Sequence, residues 1–481
     1  MTRIELDPNL NKAPQVLGTI HLMGVCGTAM GSLAGMLKEL GFQVSGSDQN
    51  VYPPMSDFLA AQGIPVAPGF SPRNLDFRPD LVIVGNVVTR QNPEVPRLKE
   101  LGLPYLSLPQ ALRHFFLKGK KPVVAAGTHG KTTTSSLTAW LLDSVGLDPG
   151  FMIGGLVGNY GRNFRLGRGE WFVVEGDEYD TAFFDKVPKF VHYAPFLGIL
   201  TSVEFDHADI YSDLDAVKDA FRRFVELIPA EGLLLACGDD PLVRELAGRA
   251  SCRVVFYGRG RDNQWRAEKL RPDGRRVYFR AVSPQGRTHD LFSPLPGEHN
   301  VLNTLAAAAA LDFIGASPET LTPGLETFQG VRRRQEVRGV VGGVTVIDDF
   351  AHHPTAVRKT IAAIQGAYPG SRLAAIFEPR TNTSRRRFFQ KEYAESFAGA
   401  DVVWIKPPSD LSKVPEDERF SCSKLVDDLG GKGYDARLCL EADLLLNDLL
   451  RELRPGDVAL IMSNGGFDNI HQRLLDGLVA R

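Results

Sequence analysis

PVVAAGTHGKTTTSSLTAWLL, residues 122–142, decides the fold. Its β-branched start predicts a buried strand, Gly127, Thr128, His129 and Gly130 predict a tight turn, and the stretch 132–145 has the periodicity of a helix. At such a junction the turn glycines let backbone N–H groups approach phosphate oxygens, and the helix N-terminus favours an anion. Lys131 is placed to reach the outer phosphates of a nucleotide, and the hydroxyl of Thr132, with Thr133 behind it, to meet magnesium. The strict phosphate-loop pattern has a glycine where this chain has Ala125, and an ordinary glycine-rich turn is the alternative. The strand context together with GKT favours nucleotide binding.

Outward from this stretch, similar strands recur at 19–24, 80–86, 171–177, 344–349, 373–379, 401–405 and 457–465, most ending in Gly, Asp, Glu or Asn. Helical stretches such as 29–40 and an alanine-rich helix over 304–315 lie between them. This alternation predicts an α/β protein with mostly parallel sheets and ligands at the carboxyl ends of the strands. The 481 residues exceed one ordinary core and suggest about three domains. The basic stretch LKGKKP (117–122) and the segment FQGVRRRQEVRG (328–339) place boundaries that give domains 1–117, 118–330 and 331–481, with 1–16 an irregular lead-in.

A net charge of −2 argues against a dedicated nucleic-acid binder. Five cysteines without a CxxC pair support neither a disulfide framework nor a structural zinc site, so a reducing cytoplasm is the expected compartment. No apolar run reaches the roughly 18 residues of a membrane span, and the start lacks the pattern of a signal peptide.

Two clusters end later strands: EGDEYD (175–180) and EFDHADIY (204–211). Glu175 and His207 are candidates to complete a second magnesium site, since hard cations need few protein ligands when phosphates supply the rest. A solvated acidic loop is the plain alternative. In the first block HLMGVCGTAMGSLAGML (21–37) forms a glycine-rich turn whose spacing departs from GxGxxG, and SGSD (45–48) puts Asp48 at the next strand end, where a ribose contact is expected. Close helix packing explains the same glycines, and Cys26 reads as a small buried thiol.

Together these segments resemble the Mur ligases, which form amide bonds at the expense of ATP. GTHGKTTT, EGDEYD, EFDHADIY, GEHNVLNTLAA (297–307), VRRRQE (331–336) and DDFAHHPTA (348–356) match in family order and cover all three blocks. HLMGVCGTAMGSL is similar to the opening of the branch that ligates to the muramic acid carboxylate. SDQNVYPPMSDFLAAQGI (47–64), EGDEYDTAFFDKVPKFVHYAP (175–195), EPRTNTSR (378–385) and IMSNGGFDNIHQRLL (461–475) look more like its tripeptide-adding members than its L-alanine-adding ones.

The resemblance implies three domains, Rossmann-like first and third around a central P-loop ATPase domain. It implies an ADP-forming ligase that joins L-Ala-γ-D-Glu-meso-diaminopimelate to UDP-N-acetylmuramate through an acyl phosphate in peptidoglycan recycling, with L-alanine as the alternative acceptor. It assigns Gly127–Thr133 to the ATP phosphates, with Lys131 acting there and Thr132, Glu175 and His207 on magnesium; Asn300 and Asn303 to the adenine; and Arg334 and Asp349 to ATP from the third domain. Gly24, Gly27, Thr28, Met30, Ser47 and Asp48 fall to the nucleotide sugar, and Arg380, Asn382 and His352 to the peptide. One departure stands out. Some members carry a carbamylated lysine where this chain has Arg222, which cannot form a carbamate. A folylpolyglutamate-synthase-like ligase and a nucleotide-gated binding protein without turnover are the remaining alternatives.

Overall fold

The computed structural model describes residues 5–412 and 414–481. Three large sheets follow one another along the chain, with a small antiparallel pair, Asp180–Ala182 and Asp185–Pro188, beside the central one. The first has five parallel strands in the order Val66–Pro68, Gln43–Asp48, Thr19–Met23, Leu81–Val84, Tyr105–Ser107. Strand order reverses beside Thr19–Met23, which opens a crevice at its carboxyl end. There Gly24 turns the chain at φ +80° into the helix Thr28–Glu39. The small residues of that helix serve packing: a Cβ on Gly35 would lie 2.8 Å from Phe164, in the central block, and 3.0 Å from Phe58.

The central sheet has ten strands, ordered Thr288–Ser293, Arg276–Val282, Trp265–Asp273, Arg253–Gly258, Leu233–Cys237, Leu197–Leu200, Lys121–Ala126, Trp171–Gly176, Gly150–Val157, Arg162–Arg165. Its middle is parallel, as buried Val, Leu and Ala runs dictate. Both flanks are antiparallel, so the sheet is more mixed than the strand–helix alternation suggests. The alanine-rich helix starts earlier than its apolar run, at Glu298, and extends to Ile314. It packs against the helix Lys131–Ser144, which follows the phosphate loop.

The third sheet runs Glu336–Val341, Val344–Asp349, Val458–Met462, Leu373–Phe377, Val402–Ile405, Asp435–Leu438. It is parallel apart from its first hairpin, whose turn residues Gly342 and Gly343 both take positive φ, as a two-residue hairpin turn of this hand requires. Separate apolar cores fill its two faces, whereas one continuous core joins the first and central blocks.

The lead-in is more ordered than its sequence suggests. Leu6 is buried, and Asn11 donates to Tyr105 O and Gln110 Oε1, both at 3.0 Å; residues 1–4 lie outside the described part. Among the described residues no helix is long and apolar enough to cross a membrane.

Candidate active site

The strand Lys121–Ala126 ends in the middle of the central sheet, and the loop after it is shaped by close contacts. Gly127 has φ +129°, and a Cβ there would lie 2.2 Å from Thr201 Oγ1. Gly130 has φ +83°, and its Cβ would lie 2.7 Å from Asn303 Oδ1. Neither position admits a side chain. The helix then starts at Lys131 with no side-chain cap, so its first N–H groups are directed toward the adjoining cavity.

Lys131 folds back over the loop. Its ammonium donates to Gly127 O at 2.7 Å and to both oxygens of Glu178 at 2.9 and 3.1 Å. Burial opposes the ammonium charge, but the carboxylates of Glu178 and Asp177 outweigh it and raise the lysine pKa. Glu178 is 2% exposed, and its second partner is His207 Nε2 at 2.9 Å. Burial resists ionisation of Glu178, yet Lys131 and His207 hold its pKa below the ordinary value. Burial likewise resists the charged form of His207, and the bond to Glu178 raises its pKa nonetheless. His207 itself sits at φ +56°, unusual for a non-glycine residue.

Beside this triad, Thr132 Oγ1 donates to Glu175 Oε1 at 2.9 Å, while Glu175 Oε2 accepts from Gly154 N at 2.8 Å. That oxygen–oxygen separation equals the edge of an octahedron with metal–oxygen bonds of about 2.0–2.1 Å, roughly 2.9 Å. Thr132 and Glu175 thus present two oxygens at a spacing that a magnesium ion would accept. His207 is turned onto Glu178, so an ion bound at His207 would meet Glu178 as well.

Arg334, from the third block, reaches into the same place and donates to Thr132 Oγ1 at 3.1 Å. It lies over the ring of Phe350, and its burial lowers its pKa despite the nearby carboxylates of Asp349 and Glu175. Burial raises the pKa of Asp349, whose oxygens accept the backbone N–H groups of Gln335 and Ala351, each at 2.8 Å. Asp349 thus fixes the chain around Arg334.

Asn300 and Asn303 do not cap their helix. Asn300 donates to Pro296 O at 2.8 Å and Gln335 Oε1 at 3.0 Å; Asn303 donates to Asn300 Oδ1 at 3.0 Å and accepts from Thr134 Oγ1 at 3.1 Å. They tie the phosphate-loop helix to the third block. The cavity they border measures about 1100 Å³ and is lined by all three blocks, among them Thr28, Lys131, Glu175, His207, Asn300 and Arg334.

Other expected residues are placed elsewhere. Met30 is a core side chain beside Gly85, Asp48 accepts the backbone N–H groups of Cys26 and Asn50, and Ser47 donates to Glu94 at 2.8 Å. Cys26 is only partly buried. Gly24 and Gly27 shape the turn, and Thr28 alone of this set borders the cavity. His352 also lines the cavity, with Nε2 3.6 Å from Asp206. Arg380 and Asn382 do not: Arg380 is 44% exposed and lies across Gly465, and Asn382 donates to Asp209 at 2.8 Å. Arg222 is on the solvent face of the helix Leu214–Glu226, paired with Asp219. Lys218, on the same helix, pairs with Glu245 of the helix Pro241–Ala247.

Sequence reasoning missed Glu178, Gln335 and Lys359. Glu178 lies in EGDEYD two residues past the strand Trp171–Gly176, where the strand no longer sets the direction of a side chain. Gln335 and Lys359 border the cavity from the third block, and only the packing of that block brings them there.

Family models cover most of the chain in three consecutive matches: "Mur ligase family, catalytic domain" over residues 19–119, "Mur ligase middle domain" over 125–311 and "Mur ligase, glutamate ligase domain" over 332–465. The chain is 40% identical over 463 residues to the UDP-N-acetylmuramate–L-alanyl-γ-D-glutamyl-meso-2,6-diaminoheptandioate ligase of Escherichia coli (strain K12), covering 96% of this chain and 98% of that one. It is 34% identical over 464 residues to the UDP-N-acetylmuramate–L-alanine ligase of Rhizobium etli, covering 94% and 95%. The crystal structure of a murein peptide ligase from Psychrobacter arcticus 273-4 matches with a TM-score of 0.72 at 34% identity, over 96% of this chain and 99% of that one.

Proposed function

We propose, from the premise that this chain belongs to the Mur ligase family, that it is an ATP-dependent, ADP-forming ligase joining L-Ala-γ-D-Glu-meso-diaminopimelate to UDP-N-acetylmuramate. The observation that carries this reading is the full-length 40% identity to a ligase of that name, against 34% for the L-alanine ligase. The cavity supports it by joining a phosphate loop to a third-block arginine. With ATP as cosubstrate, the cytoplasm is its place of action.

In the first step a muramate carboxylate oxygen attacks the γ-phosphorus of ATP, the bond to the bridging oxygen breaks and ADP leaves. Lys131 and the loop amides hold the phosphates, and Arg334 adds charge from the third block. For this, Lys131 exchanges Glu178 for phosphate oxygen. In the second step the peptide amine attacks the acyl carbon and loses its proton, and the carbon–oxygen bond to phosphate breaks. Thr132 and Glu175 would hold magnesium, with His207 at a second position, and the metal would supply charge neutralisation at the transferred phosphoryl group. The acyl phosphate must be kept from water, and Arg334, Asp349 and Gln335 close the cavity from the third block.

The domain limits near residues 118 and 331 are part of this reading, since each sheet then carries one substrate. The first block takes the nucleotide sugar at its crevice, with Thr28 facing the phosphate loop and the Asp48 carboxylate shaping the turn. Asn300 and Asn303 shape the adenine side.

Replacing Glu175 or His207 by Ala is expected to raise the magnesium concentration needed for half-maximal activity, with excess metal restoring part of the rate. An unchanged metal requirement with a displaced pH profile would show proton transfer as their role instead.

The specificity test is a mass-spectrometric ligation assay with ATP, magnesium and UDP-N-acetylmuramate, offering tripeptide and L-alanine together to wild type and Arg380→Ala. Arg380, half-exposed across Gly465 and 3.9 Å from Glu378, is assigned to an acceptor carboxylate, for which its forked guanidinium is suited. Wild type is expected to use tripeptide almost alone, and the variant to raise the tripeptide KM with ATP binding unchanged. Preference for L-alanine overturns the acceptor assignment; an unaltered tripeptide KM removes Arg380 from it.

A further inference from the structure

We propose that His129, Glu204 and His353 form a site for a divalent transition ion of the Zn2+ kind, separate from the magnesium position, that ties the phosphate loop to the third block. His129 belongs to the loop, Glu204 follows the strand Leu197–Leu200, and His353 caps the third-block helix Pro354–Ala367. Their potential ligand atoms all lie within 4.8 Å of one another. Glu204 Oε2 is 3.6 Å from His129 Nε2 and 3.5 Å from His353 Nδ1.

These separations are too long for good hydrogen bonds, yet close to the edge of a tetrahedron with metal–ligand bonds of about 2.0–2.1 Å, roughly 3.4 Å. The protonation pattern agrees. His353 Nε2 lies 3.3 Å from Phe205 O, to which it can only donate, and this puts the lone pair on Nδ1, facing the carboxylate. That lone pair receives one long N–H, from Thr355 at 3.3 Å. A metal ion on Nδ1 would replace this weak cap and stand between the lone pair and the Glu204 carboxylate.

The Nε2 of His129 is buried and has no hydrogen-bond partner among the described residues. Outer contacts of the kind that orient metal ligands are in place: Phe205 O on His353, and Thr355 Oγ1 on Glu204 Oε2 at 2.7 Å. Phe389 packs edge-on against His353 and shields it.

Two imidazoles and one carboxylate suit Zn2+, leaving a fourth position for water; with two nitrogen donors of three the set is poor for magnesium, which favours oxygen. Because the ligands come from both sides of the contact, a bound ion holds the third block against the loop that carries Lys131. Saturating Zn2+ is then expected to slow product release. That kinetic consequence rests on the ligase reading, whereas binding does not.

The test titrates metal-free full-length protein with Co2+, which reports tetrahedral coordination by intense visible bands, and then displaces it with Zn2+. Wild type is expected to show one such equivalent. His353→Asn keeps a side chain able to cap the helix and removes the imidazole; its affinity is expected to fall by more than the roughly 10- to 100-fold that loss of an outer-shell partner costs. Glu175→Gln, at the magnesium position, is expected to retain the bands. His129→Gln provides a second ligand deletion should His353→Asn not fold, which circular dichroism reports. Equal Co2+ affinity in wild type and the folded deletion variant overturns the site, as do weak six-coordinate bands or a thiolate charge-transfer band placing the ion on cysteine.

Discussion

Lys131→Ala is expected to lower the ligation rate roughly 10³–10⁵-fold, the range observed when a cation facing a transferring phosphoryl group is removed. The ammonium lies over the loop with its donors on Gly127 O and Glu178, and no other lysine or arginine among the described residues bonds to the Glu178 carboxylate. Alanine leaves the loop glycines and the helix N-terminus unchanged, so part of the ATP affinity remains while transition-state stabilisation is lost. Binding of UDP-N-acetylmuramate, assigned to the first block, should stay near wild type in calorimetry. Glu178 keeps His207 as a partner in the variant, and a melting curve checks that the fold persists. Wild-type release of ADP by this variant would remove the phosphate-loop assignment.

Lys131 was legible in the sequence because all that shapes its loop is local. Strand, turn glycines, lysine and helix are consecutive, and the glycines are demanded by close contacts that a sequence pattern records. Parallel β-branched runs were legible for the same reason. Other features depended on tertiary contacts. The run EKLRPDGRRVYFRAV carries too many charges to alternate cleanly, and it forms an antiparallel hairpin, Trp265–Asp273 with Arg276–Val282, on the flank of the central sheet just inside its edge strand Thr288–Ser293. The helix at Glu298 begins with polar residues that become buried only when the phosphate-loop helix and Gln335 pack on them. Met30 sits in a glycine-rich turn segment yet serves the core, because the helix face and not the motif sets its direction. Arg380 and Asn382 occupy a strand end as read, but the third block presents them away from the common cavity.

Glu178 is the residue whose role only three dimensions disclose, and its removal should have an effect opposite in kind to that of Lys131. In the absence of nucleotide its 2% exposed carboxylate neutralises both Lys131 and His207. Glu178→Ala leaves a buried ammonium without its closest partner, and breaking a buried pair this way costs about 3–5 kcal/mol. For a domain of the central block's size this lowers Tm by roughly 6–20 °C. Glu178→Gln, which keeps an oxygen to accept from Lys131, should lose less. Nucleotide should reverse the order of events: phosphate oxygens take the position vacated by the carboxylate and no longer compete with it for Lys131. The stabilisation by ADP or ATP, read as the rise in Tm at fixed ligand concentration, is therefore expected to be larger in Glu178→Ala than in wild type. If both proteins melt together without nucleotide, the pair carries no stability. If the variant is destabilised but nucleotide restores no more than it does in wild type, Glu178 is not a stand-in for phosphate, and its carboxylate belongs instead to the second metal position beside His207.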